Sequence, residues 1–283
     1  MILVTGASGK TGRAVITALV ARGVAVRAFV RRTEAGAGLL TLGAREIALG
    51  SLDDESAVSR ALQGCRAAYH IAPNVDAGEA LYGSILLRAA ARAGIEHVVY
   101  HSVLHPQIEA MPHHWAKMRV EEMIFASGLP FTILQPTAYM QNILGALPRI
   151  RSDGFHVTPY PVTTRINLVD LADVGEAAAI ALTEPGHAGA TYELVGTPAL
   201  DQMDVAQALS RALGRRVVAQ ELSLDSWDSG ARASGLPDHA RETLAQMFRA
   251  YAQQGLVGNS NVLRWLLGRA PTSLEDMLAR SLA

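Results

Sequence analysis

The chain has 283 residues, of which 49% are hydrophobic and 18% are charged, and its formal net charge is −1. This composition excludes a disordered chain, and the near-zero charge shows no basic footprint for nucleic acid. A single cysteine, Cys65, excludes an internal disulfide and a cysteine-rich zinc site. No apolar run reaches the roughly 18 residues that span a bilayer, and the first residues lack the charged region of a signal peptide. We therefore expect a soluble cytoplasmic protein without a nucleic-acid or membrane partner.

Strand-like and helix-like segments alternate along the first half of the chain. Short apolar strands are predicted at residues 2–5, 24–30, 46–49, 67–71, 97–102 and 131–134. Helices are predicted between them at residues 12–21, 53–62, 79–93 and 112–127. Repeated strand–helix alternation predicts an α/β fold, in which a Rossmann-type, doubly wound parallel sheet is covered by helices on both faces.

The pattern changes after Pro136. Glycines and prolines interrupt residues 145–165, a strand-turn-helix pattern returns at 167–182, and the chain is mainly helical from Asp201 onward. We predict a dinucleotide-binding domain over residues 1–150 and a smaller, mainly helical substrate-binding region over 151–283. Within the latter, residues 165–196 are expected to pack back onto the Rossmann sheet. Five large side chains either line the substrate pocket or belong to the core: Trp227, Met247, Phe248, Tyr251 and Trp265.

A glycine-rich loop stands between the first strand and the first helix. It reads Val4-Thr5-Gly6-Ala7-Ser8-Gly9-Lys10-Thr11-Gly12, with glycines in the spacing G-x-x-G-x-x-G. Glycines in this context permit a tight turn, close approach of the backbone to a diphosphate and close packing of helix on strand. A nucleotide-triphosphatase loop would need a glycine at position 4, which is Val4. The motif therefore predicts a dinucleotide site.

The end of the second strand indicates which dinucleotide is bound. NAD sites usually place an acidic residue there, whereas NADP sites place a cation for the 2′-phosphate. Here Arg31 and Arg32 follow the strand, and the first acidic residue is Glu34. Arg31 is the predicted phosphate ligand, since a guanidinium binds phosphate bidentately, and Lys10 of the adjacent loop is expected to assist. The alternative is that both arginines are ordinary surface charges.

These motifs resemble the NmrA-like branch of the atypical short-chain dehydrogenases/reductases, over nearly the whole chain. Besides the glycine loop, the resemblance includes the segments at residues 26–31, 50–53, 134–136, 139–142 and 170–174. Within that branch, residues 62–64 and the tail at 267–274 look like the type 2 NAD(P)H:quinone oxidoreductases. The glycine loop is specific for dinucleotides, and the tail is moderately specific for the subfamily.

The resemblance implies further cofactor positions along the sheet. Asp53 would flank the adenine, and the segment Ile71-Ala72-Pro73 would border the diphosphate and ribose. Pro136 and Tyr139 would line the nicotinamide side. All of these positions follow consecutive parallel strands, which is where open sheets bind their ligands.

The expected catalytic helix departs from the pattern of short-chain reductases. Such enzymes usually pair a tyrosine with a lysine four residues later, and here Lys117 is present while His113 stands at the tyrosine position. Lys117 is expected to hold the ribose, and Ser102 takes the place of the usual serine. His113 or His114 could be a proton donor, as imidazole titrates near neutrality. The alternative is a solvent-exposed histidine at the helix start. A quinone can accept hydride without a strong protein acid, so the departure does not exclude hydride transfer.

Five histidines fall at positions 97, 101, 105, 113 and 114, but no carboxylate or thiol completes a recognisable metal site.

Taken together, the motifs and the resemblance predict an NADPH-dependent oxidoreductase that transfers hydride to a quinone or another conjugated carbonyl compound. We expect it to use NADP(H) and no metal, and to be a monomer or a homodimer. The alternative is a regulator that senses NADP(H) without turnover. A sugar-nucleotide epimerase or dehydratase is disfavoured because the tyrosine is absent.

Overall fold

The computed structural model describes residues 1–282, which cluster into two units. The first unit comprises residues 1–107, 114–136 and 171–192. The second comprises residues 108–113, 137–170 and those from 193 onward. The chain thus passes between the two units several times.

The secondary structure follows strict strand–helix alternation as far as residue 136. These elements are β1 (Ile2–Val4), α1 (Lys10–Ala21), β2 (Val26–Val30), α2 (Glu34–Thr41), β3 (Glu46–Leu49), α3 (Glu55–Leu62), β4 (Ala67–His70), α4 (Glu79–Ala93), β5 (His97–His101), α5 (Pro112–Ala126) and β6 (Phe131–Pro136). The next elements are β7 (Ala138–Tyr139), α6 (Gln141–Asp153), β8 (Phe155–Thr158), β9 (Leu168–Val169), α7 (Leu171–Thr183) and β10 (Ala190–Leu194). The remaining ones are α8 (Gln202–Leu213), β11 (Val218–Glu221), α9 (Leu224–Ala233), α10 (Asp238–Gln254), α11 (Ser260–Leu267) and α12 (Leu274–Leu282).

The main sheet has the strand order β10-β6-β5-β4-β1-β2-β3. Strands β1 to β6 pair in parallel, with Ile2 opposite both Val26 and Ala67 in the central register. The order reverses between β1 and β4, which creates the crevice at the carboxyl ends of the strands where open sheets bind ligands. This topology confirms the predicted doubly wound α/β sheet.

Burial on both faces explains why the strands read as short apolar runs. Ile2, Val4 and Tyr69 are fully buried, as expected for a parallel sheet covered by helices. The helix boundaries follow local chemistry. Asp54 caps α3 by accepting hydrogen bonds from two backbone amides, and α4 ends at Gly94 in the left-handed conformation.

Helix α2 was not predicted from the sequence. Its eight residues contain two glycines, which lower helix propensity, so the local pattern resembles a loop. A Cβ on Gly36 would lie 3.3 Å from the side chain of Ile47, so the glycine lets the helix pack closely on β3. Tertiary packing therefore outweighs propensity here.

Helix α7 belongs to the first unit and packs on α1. A Cβ on Gly175 would lie 2.6 Å from the backbone oxygen of Ala14, which shows how closely the two helices approach. Within α7, Asp173, Val174 and Ala177 are fully buried. The apolar face of α7 thus covers the helix that follows the glycine loop.

The second unit is mainly helical, with two short parallel strand pairs, β8 with β11 and β7 with β9. Glycines and prolines interrupt the sequence at residues 145–165, yet Pro148 lies inside helix α6. An aromatic cluster links Trp227, Phe248 and Tyr160, with ring centroids 4.9 Å and 6.0 Å apart. Trp265 is 73% exposed.

Across residues 1–282, every helix is too short or too polar to cross a membrane.

Candidate functional site

The glycine loop folds as a tight turn onto the start of α1. Gly6 has φ +55°, a left-handed conformation that favours glycine, and its carbonyl accepts a hydrogen bond of 3.0 Å from the Gly9 amide. A Cβ on Gly12 would lie 2.3 Å from that same carbonyl oxygen and 2.7 Å from the Cα of Ala7. Both positions therefore require glycine for steric reasons.

The loop leaves the first turn of α1 open to an anion. Gly9 is the N-cap and provides no side-chain oxygen, and the first turn carries no acidic residue. Ser8, Gly9 and Lys10 are exposed, so their backbone is accessible. Free amides, the helix dipole and a cationic side chain together form the kind of site that binds a diphosphate.

Thr5 ties the glycine loop to the end of β4. Its Oγ1 donates to the Ile71 carbonyl over 3.1 Å and accepts from the Ile71 amide over 2.9 Å. The Nδ1 atom of His70 lies 3.1 Å from the same oxygen. Ala72 is buried and Pro73 half-buried beyond it. Thr5 thus links the glycine loop to the start of the predicted Ile71-Ala72-Pro73 segment.

A second cluster of polar groups lies at the carboxyl ends of β2 and β3. Arg31, Arg32 and Asp53 are exposed there. The Tyr82 hydroxyl of α4 donates to Asp76 over 3.1 Å. Burial, this hydrogen bond and the charge of Asp53 raise the pKa of Tyr82, and the nearby charge of Arg31 opposes them. The structure therefore brings Arg31 and Asp53 to one place and adds Tyr82, which sequence reasoning missed.

Lys117 lies in a buried polar network on the first unit. Its ammonium donates to Glu79 Oε1 over 3.1 Å and to the His101 carbonyl over 3.2 Å. Tyr100 donates its hydroxyl to the same Glu79 oxygen over 2.8 Å, and its ring centroid lies 5.4 Å from the lysine nitrogen. Burial, followed by Glu79, raises the pKa of Tyr100 well above its ordinary value. The ammonium is therefore held on three sides.

Ser102 follows β5 directly and donates its hydroxyl to Glu121 Oε1. Gln135, in β6, donates its amide to both oxygens of Glu121 over 2.9 Å and 3.1 Å. Glu121 lies one turn beyond Lys117 on α5, and its residue is 4% exposed. Burial raises the pKa of Glu121, although Ser102, Gln135 and the charge of Lys117 act in the opposite direction.

The buried histidines of the first unit are neutral groups. Burial, together with the charge of Lys117, lowers the pKa of His70 to about 3 and that of His101 well below its ordinary value. Burial likewise lowers the pKa of His114 to about 4. His114 is fully buried, and its Nδ1 donates to the His105 carbonyl over 3.3 Å. The free energy of unfolding therefore depends on pH through these histidines.

We expect the His114→Asn variant to reveal how His114 makes the stability of the protein depend on pH. The folded protein holds His114 neutral while the unfolded chain protonates it near pH 6.5, so its stabilising effect is complete above pH 6.5 and is lost as the pH falls toward 4. The loss amounts to about 3 kcal/mol. In urea unfolding, the stability gap between wild type and His114→Asn should narrow from pH 7 to pH 4. A constant gap would contradict the assignment.

Two predicted site residues lie in the second unit. His113 is half-buried at the start of α5, one turn before Lys117 on the helix. Tyr139 is half-buried in β7, opposite Val169. Pro136, by contrast, ends β6 in the first unit and is buried. In residues 1–282, His, Cys, Asp and Glu side chains form no group of three that could hold a metal ion.

Sequence reasoning missed the two buried glutamates. Glu79 lies in the first turn of α4, where acidic residues are common because of the helix dipole, so its position carried no functional signal. Glu121 had a weak signal, since it stands four residues after Lys117 and therefore on the same helix face. Burial of both carboxylates is what marks them, and burial depends on the tertiary structure.

The family model described as the NmrA-like family matches residues 1–278. Quinone oxidoreductase 2 of Escherichia coli (strain K12) is 29% identical over 281 residues, which cover 99% of this chain and 98% of that protein. The (4-alkanoyl-5-oxo-2,5-dihydrofuran-3-yl)methyl phosphate reductase of Streptomyces griseus is 33% identical over 288 residues, covering 99% and 97% of the two chains.

A solved structure is similar over the entire length. It is an NADPH-dependent quinone oxidoreductase from Escherichia coli in complex with NADPH. Its TM-score to this chain is 0.88 at 28% sequence identity, and the alignment covers 100% of both chains. The fold is therefore shared with a protein that was solved in complex with NADPH.

Proposed function

This chain belongs to the NmrA-like family, and we propose that it is an NADPH-dependent oxidoreductase that reduces a quinone or another conjugated carbonyl compound. The oxidoreductase class agrees with relatives that match almost all of the chain and are named reductases or oxidoreductases. The likeness to a structure complexed with NADPH supports the cofactor.

The glycine loop fits the diphosphate of this cofactor. A Cβ on Gly12 would fill the space beside the Gly6 carbonyl, and the open amides of α1 favour an anion. Arg31 is the proposed ligand of the 2′-phosphate, with Lys10 as an additional cation. Asp53 and Pro73 follow other strands of the sheet, and Pro136 ends β6. These three residues lie toward the carboxyl ends of the strands and are proposed to border the remainder of the cofactor.

The observation that carries the proposal is the fixed position of the Lys117 ammonium. A lysine ammonium has three donors, and within residues 1–282 two of them are used, by Glu79 and by the His101 carbonyl. Because the Tyr100 ring is not a conventional hydrogen-bond acceptor, we propose that the third donor binds a ribose hydroxyl at the carboxyl ends of the strands, where the glycine loop also lies. Bound NADPH would supply the hydride, while Lys117 would orient the ribose and so the nicotinamide.

The substrate class rests on the chemistry of the relatives. One is named for quinones, and the other for a dihydrofuranone whose ring double bond is conjugated with carbonyl groups. Both are electron-poor acceptors at which hydride leaves an anion delocalised onto oxygen. An acceptor of this kind is compatible with a helix that carries His113 where other reductases carry a tyrosine.

NADPH oxidation, followed by absorbance with a panel of quinones and enones, tests the proposal. Consumption that needs both protein and acceptor would support a reductase. Tight NADPH binding without consumption by any acceptor would instead favour a regulator that senses NADP(H). A protein that bound neither NADPH nor NADH would contradict both functions.

Replacing Arg31 by Ala should weaken NADPH binding by about 10- to 100-fold, because charge-assisted hydrogen bonds contribute roughly 1.5–3 kcal/mol. NADH binding should change little, since NADH lacks the 2′-phosphate. Fluorescence titration with both dinucleotides measures the difference. Arg45→Ala, on another exposed arginine of the same unit, serves as the control, and equal losses for both dinucleotides in Arg31→Ala would exclude the proposed phosphate contact.

A further inference from the structure

Three ionisable side chains are buried together around Tyr100 in the first unit. The residues Glu79 and Glu121 are 3% and 4% exposed, and the side chain of Lys117 is 12% exposed. Lys117 forms its ion pair with Glu79. One cation therefore faces two carboxyl groups, and the cluster would carry a net negative charge if both carboxyl groups were ionised.

The hydrogen-bond partners of Glu121 are neutral. They are the hydroxyl of Ser102 and the amide of Gln135, and within residues 1–282 no cation forms an ion pair with Glu121. A buried carboxyl without a paired cation is expected to hold a proton, because ionisation in a poorly solvated site is unfavourable. The raised pKa of Glu121 agrees with this expectation.

Two charged or titratable side chains interact with Glu121 directly, and Glu79 is linked to both of them. Lys117 acts from the same helix and favours ionisation. Tyr100 faces it from β5 and stays neutral, because its own pKa is raised well above the ordinary value. The Glu79 carboxylate, on α4, accepts hydrogen bonds from the Lys117 ammonium and from the Tyr100 hydroxyl. The cluster is therefore neutral overall when its one exchangeable proton lies on Glu121.

We propose that Glu121 is the proton reservoir of the reaction and that it acts on the substrate through the hydroxyl of Ser102. This role rests on the proposed function. When hydride reaches the acceptor, the resulting anion takes the proton of Ser102 Oγ. When Glu121 is protonated, its carboxyl would donate to Ser102 Oγ across the contact that the carboxylate otherwise accepts. Ser102 takes this proton as it gives up its own, and water later returns a proton to the carboxylate. The balance is one hydride and one proton added to the acceptor.

This arrangement would replace the tyrosine that short-chain reductases usually have. A hydroxyl can accept one proton while it donates another, which a relay requires. Gln135 can donate to the Glu121 carboxylate left after transfer, since its amide reaches both carboxyl oxygens. In these terms Ser102 is the catalytic residue, and Glu121 is a positioning residue that acts through it.

The protonation of Glu121 can be measured on the whole protein without substrate. Infrared difference spectra between low and high pH should contain a protonated-carboxyl band that titrates above the ordinary carboxyl range and is absent in Glu121→Gln. Glu121→Gln should fold normally, because glutamine resembles the protonated acid in shape and charge. A band that is unchanged in Glu121→Gln, or titration in the ordinary range, would overturn the proposal.

The pH dependence of turnover tests the relay itself. With an enone, whose product anion is basic, wild-type kcat should fall as the pH rises through the pKa of Glu121. Glu121→Gln and Ser102→Ala should both lose this pH dependence and lower kcat by about 100-fold, with unchanged NADPH affinity. Glu122→Gln is the matched control, because Glu122 is the next residue on the helix and its side chain is 46% exposed.

The outcomes separate the two proposals. An unchanged pH profile in Glu121→Gln, with normal turnover, would overturn the relay and leave the reductase standing. If wild-type protein binds NADPH but reduces no acceptor, the reductase and the relay are both overturned. If Glu121→Gln and Ser102→Ala lose the pH dependence of kcat while Glu122→Gln keeps it, the reductase and the relay are both supported.

Discussion

Gly12→Ala is expected to abolish most of the NADPH-dependent activity and to destabilise the first unit. The new Cβ would lie 2.3 Å from the Gly6 carbonyl oxygen and 2.7 Å from the Cα of Ala7, and both of these atoms belong to the backbone. A flexible side chain cannot move away to make room, so the loop and α1 must separate. We expect a loss of about 1–3 kcal/mol in the free energy of unfolding. Displacing the diphosphate site by about 1 Å should lower kcat/KM by about 100-fold.

Gly145→Ala provides the same chemical change at a site with free space. Gly145 lies inside α6, and a Cβ there would meet no atom within 4 Å. Alanine should stabilise this helix by up to about 1 kcal/mol, because it restricts the unfolded chain. Urea unfolding and NADPH titration of both variants measure the contrast. Normal NADPH affinity in Gly12→Ala would show that the diphosphate does not depend on the loop.

Lys117→Met should have the second large effect, on stability as well as activity. The substitution leaves the Glu79 carboxylate buried, with the hydroxyl of Tyr100 as its remaining side-chain hydrogen-bond donor within residues 1–282. Removing one partner of a buried ion pair typically destabilises a protein by about 3–5 kcal/mol. We expect a loss at the lower end of this range in urea unfolding, because the Lys117 side chain retains 12% exposure.

The double variant Lys117→Met with Glu79→Gln separates stability from function. It removes both charges, so most of the lost stability should return. NADPH affinity should not return, since the proposed ribose donor is still missing. Arg88→Met is the control for an exposed pair, because Arg88 and Glu55 are 46% and 33% exposed, and it should cost less than about 1 kcal/mol. If the double variant bound NADPH normally, Lys117 would not be a ribose ligand.

Much of the fold could be predicted from local patterns. Apolar runs of four to seven residues alternate with segments of helical spacing, and this alternation is enough to predict a parallel sheet. Helices α2 and α6 were missed for a shared reason. Each contains residues that disfavour helices, two glycines in α2 and Pro148 in α6, and is stabilised by packing rather than propensity.

Some residues of the candidate site could likewise be predicted from local sequence patterns. The glycine loop is contiguous in the chain, and its spacing reflects steric limits within a few residues. Arg31 could be identified because it directly follows a strand whose end has a known role. Lys117 was identified by its distance of four residues from the position of a usual tyrosine.

The amino-acid sequence by itself determined the parallel sheet, the glycine loop and the cation after the second strand, because each depends on residues close together in the chain. Only the tertiary structure decided which carboxyl groups meet Lys117 and Ser102. Glu79 is 38 residues before Lys117, and Glu121 is 19 residues after Ser102. Their ionisation depends on burial, and burial is produced by strands and helices that local sequence cannot bring together.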